Sequence, residues 1–302
     1  MIDLHSHTTA SDGTCTPSGI VALAVALQLD ALAITDHDTL AGYDQAVPHA
    51  REAGLDLICG VELSTRPHFT SGSDRAPSVH LLGYFLDGEP SAAFREWLGC
   101  HQESRRARNR SLIARLQELG VSITLCEVEA IGGSLTGRPH FARILQQKGY
   151  VQSRQEAFDK YLADNAQAGV ERDEPGLLEG IRRIREGGGL PSLAHPVRLE
   201  ACDAAFLHKF LPALVEQGLQ GLEVHHSDHS SEQVQSYAAL AREFALAETG
   251  GSDFHGDNKP GVELGTGRNN NLALPRGVLE NMRRIARGSS VIEKGNPTCT
   301  TR

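Results

Sequence analysis

Residues 2–39 read IDLHSHTTASDGTCTPSGIVALAVALQLDALAITDHDT, and this stretch decides the fold. Ile2 to His5 reads as a strand. Thr16 before Pro17 is a helix start, with the threonine as cap and the proline at the first helical position, and the helix extends to about Leu29. Ala31 to Thr35 is the next strand. Strand, helix and strand in that order form a βαβ unit, which implies a parallel sheet or barrel with its chemistry at the carboxyl ends of the strands. The alternation continues with a helix from Leu40 that ends at the Gly54 cap, a strand at Leu55 to Cys59 and a fourth at Val79 to Leu86.

From about Pro90 to Gly169 this rhythm breaks. Helix-forming segments dominate there, and one long run around Glu103 to Leu119 carries Arg105, Arg106, Arg108, Arg110 and Arg115. Alternation then resumes with helices at Leu177 to Glu186, Ala204 to Glu216, Glu232 to Phe244 and Val278 to Ala286. The strands between them are Leu190 to His195, Gly221 to His225 and Leu246 to Thr249. The expected organisation is a discontinuous barrel, residues 1–90 and 170–288, interrupted by a small helical insertion domain at 91–169 that contributes to the substrate site. Residues 289–302 form a tail; from Gly288 onward no periodicity is present, and regular structure is not expected.

The chain has 302 residues, 40% hydrophobic and 22% charged, which suits a sizeable core and excludes disordered, collagenous and disulfide-built classes. A net charge of −9 argues against long duplex nucleic acid as a partner, although a locally basic pocket is compatible with it. The longest apolar run, Ile20 to Leu27, is far short of the ~20 residues of a spanning helix, so no membrane partner is expected. Six cysteines without a CxxC pair, and no leader segment, fit a reducing, cytoplasmic location.

Fourteen histidines accompany 38 carboxylates, and their positions carry the chemistry. Asp3-Leu4-His5-Ser6-His7-Thr8 sets two imidazoles two apart on one strand face, where they can share an ion or simply line a polar edge. Asp12 follows in a Ser-Asp-Gly turn and by itself reads as a turn residue. In Ile34-Thr35-Asp36-His37-Asp38-Thr39 the two carboxylates flanking His37 could orient it. Gly60-Val61-Glu62-Leu63-Ser64 places one acid in an apolar strand, costly to bury unless a cation partners it. His80 opens the fourth strand and alone reads as a structural histidine. Ala194-His195-Pro196 and Gly250-Gly251-Ser252-Asp253-Phe254-His255-Gly256 add three more candidates. Acids and histidines at nearly every strand end point together to a metal site.

In order, DLHSHT, Asp12, ITDHDT, GVELS, HLLGY, AHP and GSDFHG resemble the polymerase and histidinol phosphatase (PHP) superfamily, across residues 1–88 and about 170–267. The resemblance implies a distorted seven-stranded β/α barrel with a three-metal cluster. By that likeness His5, His7, Glu62 and Asp253 hold the first ion, Glu62 bridges to His80 and His195 at the second, and Asp12, His37 and His255 hold the third. All nine positions carry competent ligands, which favours an enzyme. In the insertion, LTGRPHFA at 135–142 is similar to the GRPHxA motif of the branch that contains nucleoside 3′,5′-bisphosphate phosphatases and 5′→3′ exoribonucleases. Arg138 offers a planar fork for a phosphate, with His140 on the opening turn of a helix. Arg198, and the segment EVHHSDHS at 223–230 with His226 and His229, also resemble that branch. Gly132 to Gly137 is not a P-loop, because Arg138 and Pro139 stand where Lys and Ser/Thr are required.

The expected activity is that of a metal-dependent phosphoric monoester hydrolase that removes the 3′-phosphate of a nucleoside 3′,5′-bisphosphate and leaves the 5′-monophosphate. A hydroxide bridging two ions, its pKa brought towards ~7, would attack phosphorus. Glu62, Asp253 and His195 would be catalytic; Arg138, His140, Arg198, His226 and His229 would contact substrate, with Arg138 anchoring the uncut phosphate. Two or three Mn²⁺ ions are the expected cofactor, with Fe²⁺ or Zn²⁺ as alternatives, since mixed imidazole and carboxylate ligation favours these over Mg²⁺. The competing readings are exoribonuclease action on short single-stranded RNA, histidinol phosphate phosphatase, and a non-catalytic metal-stabilised interaction module.

Overall fold

Seven strands hydrogen-bond in chain order into one sheet: β1 (Ile2–Asp3), β2 (Ala31–Ile34), β3 (Asp56–Thr65), β4 (Val79–Phe85), β5 (Leu190–Leu193), β6 (Gly221–His226) and β7 (Ala247–Gly251). They belong to a computed structural model that describes residues 1–66, 78–132, 136–163, 166–170, 174–199 and 203–293. Beyond β1 the chain meets the far end of the sheet, through Leu4 N–H to the Gly250 carbonyl at 3.2 Å and a parallel bridge between Ser6 and Phe254. The sheet thereby nearly closes into a distorted seven-stranded barrel.

Ten helices accompany it among the described residues: α1 (Pro17–Ala26), α2 (Ala41–Ala53), α3 (Ala92–Glu118), α4 (Leu125–Gly132), α5 (Arg138–Gln147), α6 (Arg154–Ala157), α7 (Leu177–Glu186), α8 (Ala204–Glu216), α9 (Ser231–Glu243) and α10 (Arg276–Glu293). Local signals explain several boundaries. Thr16 Oγ1 accepts from Gly19 N–H at 3.1 Å, with Pro17 opening α1, and Gly54 ends α2 at φ 69°. No helix among the described residues is long and apolar enough to cross a membrane.

Two expectations need correction. α3 begins at Ala92, well before Glu103, because Ser91 caps it by accepting from Phe94 N–H at 3.3 Å and because Phe94 and Leu98 bury against the barrel core. α10 continues to Glu293, past Gly288, where regular structure was expected to stop; residues 294–302 lie outside the described residues. A small hairpin, β8 (Val262–Glu263) with β9 (Gly267–Arg268), had no sequence signal strong enough to announce it.

The sheet is not uniformly parallel. β4 pairs antiparallel with both β3 and β5, while the remaining neighbours pair parallel. This reversal sets His80, at the start of β4, opposite Ser64, near the end of β3. A histidine that opens its strand therefore reaches the same rim as residues that close theirs.

The other end of the barrel is filled by Ile2, Ala31, Ile58, Tyr84, Leu190 and Ala247, against which Leu279 and Met282 of α10 pack. These residues come from the starts of the parallel strands and from the end of β4, so apolar packing plugs one end and leaves polar side chains for the other. Helices α3 to α6 surround a separate apolar cluster that includes Leu112, Leu116, Val128, Phe141, Leu145 and Leu162. They are fixed to the barrel where Gln102 donates to the Asp38 carbonyl at 3.0 Å and Arg105 pairs with the Asp38 carboxylate.

Closure between β1 and β7 needs a residue without a side chain at Gly251, where an added Cβ would stand 2.2 Å from His5 N and 2.6 Å from Asp3 Oδ1. Gly251→Ala is expected to cost roughly 1–3 kcal/mol of stability, read from urea unfolding midpoints. Gly99→Ala in α3, whose Cβ meets nothing within 4 Å, is expected instead to be neutral or to stabilise by up to about 1 kcal/mol.

Candidate metal centre

Nine side chains from all but one of the strand ends converge at the polar rim. His5 Nε2 and His7 Nε2 lie 3.2 and 3.1 Å from Glu62 Oε2, and 3.5 and 3.4 Å from Asp253 Oδ1. These four residues are almost wholly buried. The other oxygen of Glu62, Oε1, is 2.8 Å from both His80 Nδ1 and His195 Nε2. Asp12 gathers a third set, with His255 Nε2 at 3.2 Å from Oδ1 and His37 Nε2 at 3.7 Å from Oδ2. His37 also turns Nδ1 to within 3.3 Å of Glu62 Oε2, so it stands between the sets as well as in the third. Asp12, His37, His80 and His255 are partly exposed and form the open side of the cluster.

This donor set fits a group of divalent cations. The two ring nitrogens of His7 and Nδ1 of His37 are buried and have no hydrogen-bond partner among the described residues, although carboxylate oxygens stand close by. Unprotonated ring nitrogens and carboxylate oxygens that face each other across 3.1–3.6 Å repel, and positive charge between them, a proton or a divalent cation, removes that repulsion. Burial holds His195 down to about 3 and His37 down to about 4, so both present neutral rings at pH 7. Burial would push the Glu62 carboxyl up, but His37, His80 and His5 draw it well below its usual range. His7 answers the same field in the other direction: burial lowers it, and its contacts with Asp253 and Glu62 outweigh that and lift it to about 10. The carboxylates thus demand positive charge, and His5, His7, Glu62, Asp253, then Glu62, His80, His195, then Asp12, His37, His255 are the residues that would hold it.

The carboxylates beside His37 do not orient it. Asp36 accepts from Thr8 N–H at 2.7 Å, Thr8 Oγ1 at 2.7 Å and Ser11 Oγ at 2.6 Å, fixing the loop that carries Asp12. Asp38 accepts from Ser64 N–H and Oγ at 2.9 and 3.0 Å. The orienting residue is Glu223, which the sequence reading passed over. Its Oε1 is 2.8 Å from His5 Nδ1, and its Oε2 accepts from His195 N–H at 2.6 Å. The available signal was a lone acid between Leu222 and Val224, the same pattern that marked Glu62. A register shift between Glu223 and His225 in β6 lets both Glu223 and His226 face the cluster while His225 turns to Glu248.

His226 lies with Nε2 3.3 Å from Asp253 Oδ2, and its Nδ1 accepts from Asp228 N–H at 3.0 Å. This assigns the ring proton to Nε2 and makes His226 a support for Asp253. His229 donates from Nδ1 to the Val224 carbonyl at 2.8 Å, and burial lowers it to about 4, so it has no N–H left for a phosphate. It lines a third cavity together with His225, His226 and Asn271.

Two cavities border the cluster and share Asp12, Pro139 and His140 in their walls. One, of about 230 Å³, runs past His37, His80 and Asp12 to Arg105, Arg108 and Arg138. The other, of about 320 Å³, runs past Asp12, Asp253 and His255 to Arg143, Arg154, Arg198 and Lys259. Arg138 and Arg198, expected to work as one set, therefore stand on different sides. Arg198 donates to Asp253 Oδ2 at 2.7 Å and Asp228 Oδ2 at 2.8 Å, and Lys259, which the sequence reading omitted, donates to Asp253 Oδ2 at 2.8 Å.

Comparison with known proteins agrees with this geometry. The PHP domain profile matches residues 3–167. The 5′-3′ exoribonuclease Rnm of Salmonella typhimurium is 36% identical over 291 residues, covering 91% of this chain and 90% of that protein. A 3′,5′-nucleoside bisphosphate phosphatase of Chromobacterium violaceum is 30% identical over 271 residues, covering 87% and 90%. A solved structure from Bifidobacterium adolescentis, described as a metal-dependent phosphoesterase, superposes with a TM-score of 0.73 at 30% identity, over 93% of this chain and 96% of that one.

The purified protein is expected to carry two or three transition-metal ions per chain, counted by plasma mass spectrometry. Glu62→Gln should release at least one of them, because it removes the charge that two sets share. Glu223→Gln leaves every proposed ligand in place and should weaken metal affinity by about 10- to 100-fold, measured by competition with a chelator.

Proposed function

Because this chain belongs to the PHP domain family, we propose that it is a metal-dependent phosphoesterase that removes the 3′-phosphate of nucleoside 3′,5′-bisphosphates and leaves nucleoside 5′-monophosphates. The observation that carries this reading is the pair of cation-lined cavities that border one cluster of candidate ligands. A substrate with one phosphate at the cluster and another in a flanking cavity meets positive charge for both. A histidinol phosphate has only one, and a non-catalytic module needs neither.

The ions, when bound, supply Lewis acidity for a phosphoryl oxygen and an activated water. The protein's own residues do the rest. Glu62 holds its two oxygens towards two different histidine sets and so fixes the spacing of the centre. Asp253 keeps Oδ1 for the cluster because Oδ2 is taken by Arg198, Lys259 and His226. His195, held neutral and committed to Glu62 through Nε2, suits a ligand better than a proton donor. Hydrolysis breaks the P–O bond to the sugar, water oxygen forms the new bond to phosphorus, and a water proton ends on the departing hydroxyl. We place residues 91–169 as the unit that brings Arg138 and His140 to the substrate, with the barrel segments 1–90 and 170–288 supplying the centre. Mn²⁺ is the ion we assign, and 5′→3′ action on short single-stranded RNA is the second reading, supported by the similarity to Rnm.

Phosphate release should be assayed with Mn²⁺ on a nucleoside 3′,5′-bisphosphate, the 3′- and 5′-monophosphates, histidinol phosphate and a short 5′-phosphorylated RNA. A second charge-assisted contact predicts that kcat/KM for the bisphosphate exceeds that for the 3′-monophosphate by at least about tenfold. Chelation should abolish turnover and Mn²⁺ restore it. Equal rates on all monoesters would defeat the bisphosphate assignment, and preference for the RNA would establish the second reading.

A further inference from the structure

The two cavities differ in how their positive charge is compensated. On the side of His37 and His80, Arg105 is paired with Asp38, and Arg138 donates to the Leu162 carbonyl at 3.1 Å with its guanidinium 5.9 Å from the centre of the Phe158 ring. On the other side Arg198 and Lys259 are both held by Asp228 and Asp253. Arg143 and Arg154 line that same second cavity, and their side chains make no hydrogen bond or ion pair with any described residue. Arg143 follows His140 by three positions on α5, which sets both on one helix face, towards the cavity they share.

We infer that Arg143 and Arg154 form the subsite for the phosphate that is not cut. This rests on the bisphosphate reading and adds to it the residues that recognise the second phosphate. A terminal phosphate carries about −1.5 to −2 charges at pH 7, which two arginines match, and guanidinium forks suit its oxygens. The cavity that these arginines line is also lined by Asp12, Asp253 and His255 of the cluster, so a phosphate against Arg143 and a phosphate at the cluster share one continuous space. Arg138 then acts on the other side of the cluster, near His37 and His80, and not as the anchor of the uncut group. Arg198 and Lys259, being neutralised by two carboxylates, shape the cavity without contributing the uncompensated charge.

The test uses the full-length, Mn²⁺-loaded protein with adenosine 3′,5′-bisphosphate and adenosine 3′-monophosphate. Arg143→Ala should lower the ratio of their kcat/KM values at least tenfold (about tenfold per lost charge-assisted contact), chiefly through KM for the bisphosphate. Arg143→Lys, which keeps the charge and loses the fork, should recover part of that ratio. Arg138→Ala should lower both values together and leave the ratio near wild type. A readout independent of turnover is calorimetric titration with adenosine 5′-monophosphate, whose Kd should rise about tenfold in Arg143→Ala. A wild-type ratio well above one that Arg143→Ala and Arg143→Lys both leave intact would overturn the inference and spare the bisphosphate reading. A collapse of the ratio in Arg138→Ala would move the subsite to the other cavity. A wild-type ratio near one would remove the bisphosphate reading itself.

Discussion

Glu62 is a carboxylate with 1% of its surface exposed, and burying such a charge alone would cost several kcal/mol. Its two oxygens each meet at least two imidazole nitrogens, drawn from segments at β1, β2, β4 and β5. The surrounding structure has to deliver those rings to one point. β2 and β3 are locked at that level by Asp38 N–H to the Glu62 carbonyl at 2.9 Å, and the antiparallel ladder from Cys59–Phe85 to Thr65–Val79 fixes where His80 stands. A one-residue slip in that ladder would turn His80 to the opposite face of the sheet and leave Glu62 short of a partner.

A second layer holds the first. Glu223 grips His5 by a ring nitrogen and His195 by its backbone, so one side chain sets two candidate ligands. Asp3 accepts from the backbone of Ser252 and Gly265 and thereby ties the start of the barrel to the loop that presents Asp253. Three non-glycine residues at the rim have positive φ: Asp38 at 54°, His195 at 21° and Asp253 at 55°. Such conformations cost of order 1–3 kcal/mol each and persist only where neighbours over-determine them. Ser64 and Arg105 do so for Asp38, Glu223 for His195, and Arg198 with Lys259 for Asp253.

Much of this was legible in the sequence, for physical reasons that differ by element. α7 and α8 have the boundaries their periodicity predicts, because an amphipathic stripe and its end signals are local. Candidate ligands were legible because an acid or imidazole in an apolar strand is conspicuous against its neighbours, as at Glu62. The direction of β4 was not, since the run Val79 to Phe85 looks the same whichever way it pairs. Glu223 and His226 share a face only because the ladder shifts between Glu223 and His225, and strict alternation would have separated them. The partners of Asp36 and Asp38 were equally hidden: adjacency in sequence suggested His37, whereas the hydroxyls they bind lie 25 to 28 residues away.

Charge is unevenly distributed along the chain. Residues 91–169 contain eleven Arg and Lys against eight Asp and Glu, a positive excess in a chain whose net charge is −9. The candidate metal ligands come from outside residues 91–169, whereas this segment adds Arg105, Arg108, Arg138, Arg143 and Arg154 to the walls of the two cavities. Their separation matters, because an arginine free to reach Glu62 or Asp12 would compete with the ions for those oxygens. α3 is held to the loop bearing His37 through Gln102 and Arg105, while α5 buries Phe141, Ala142 and Leu145 in the segment's own core. Arg138 and Arg143 are therefore carried on a helix whose position is set by apolar packing and not by the charge it faces.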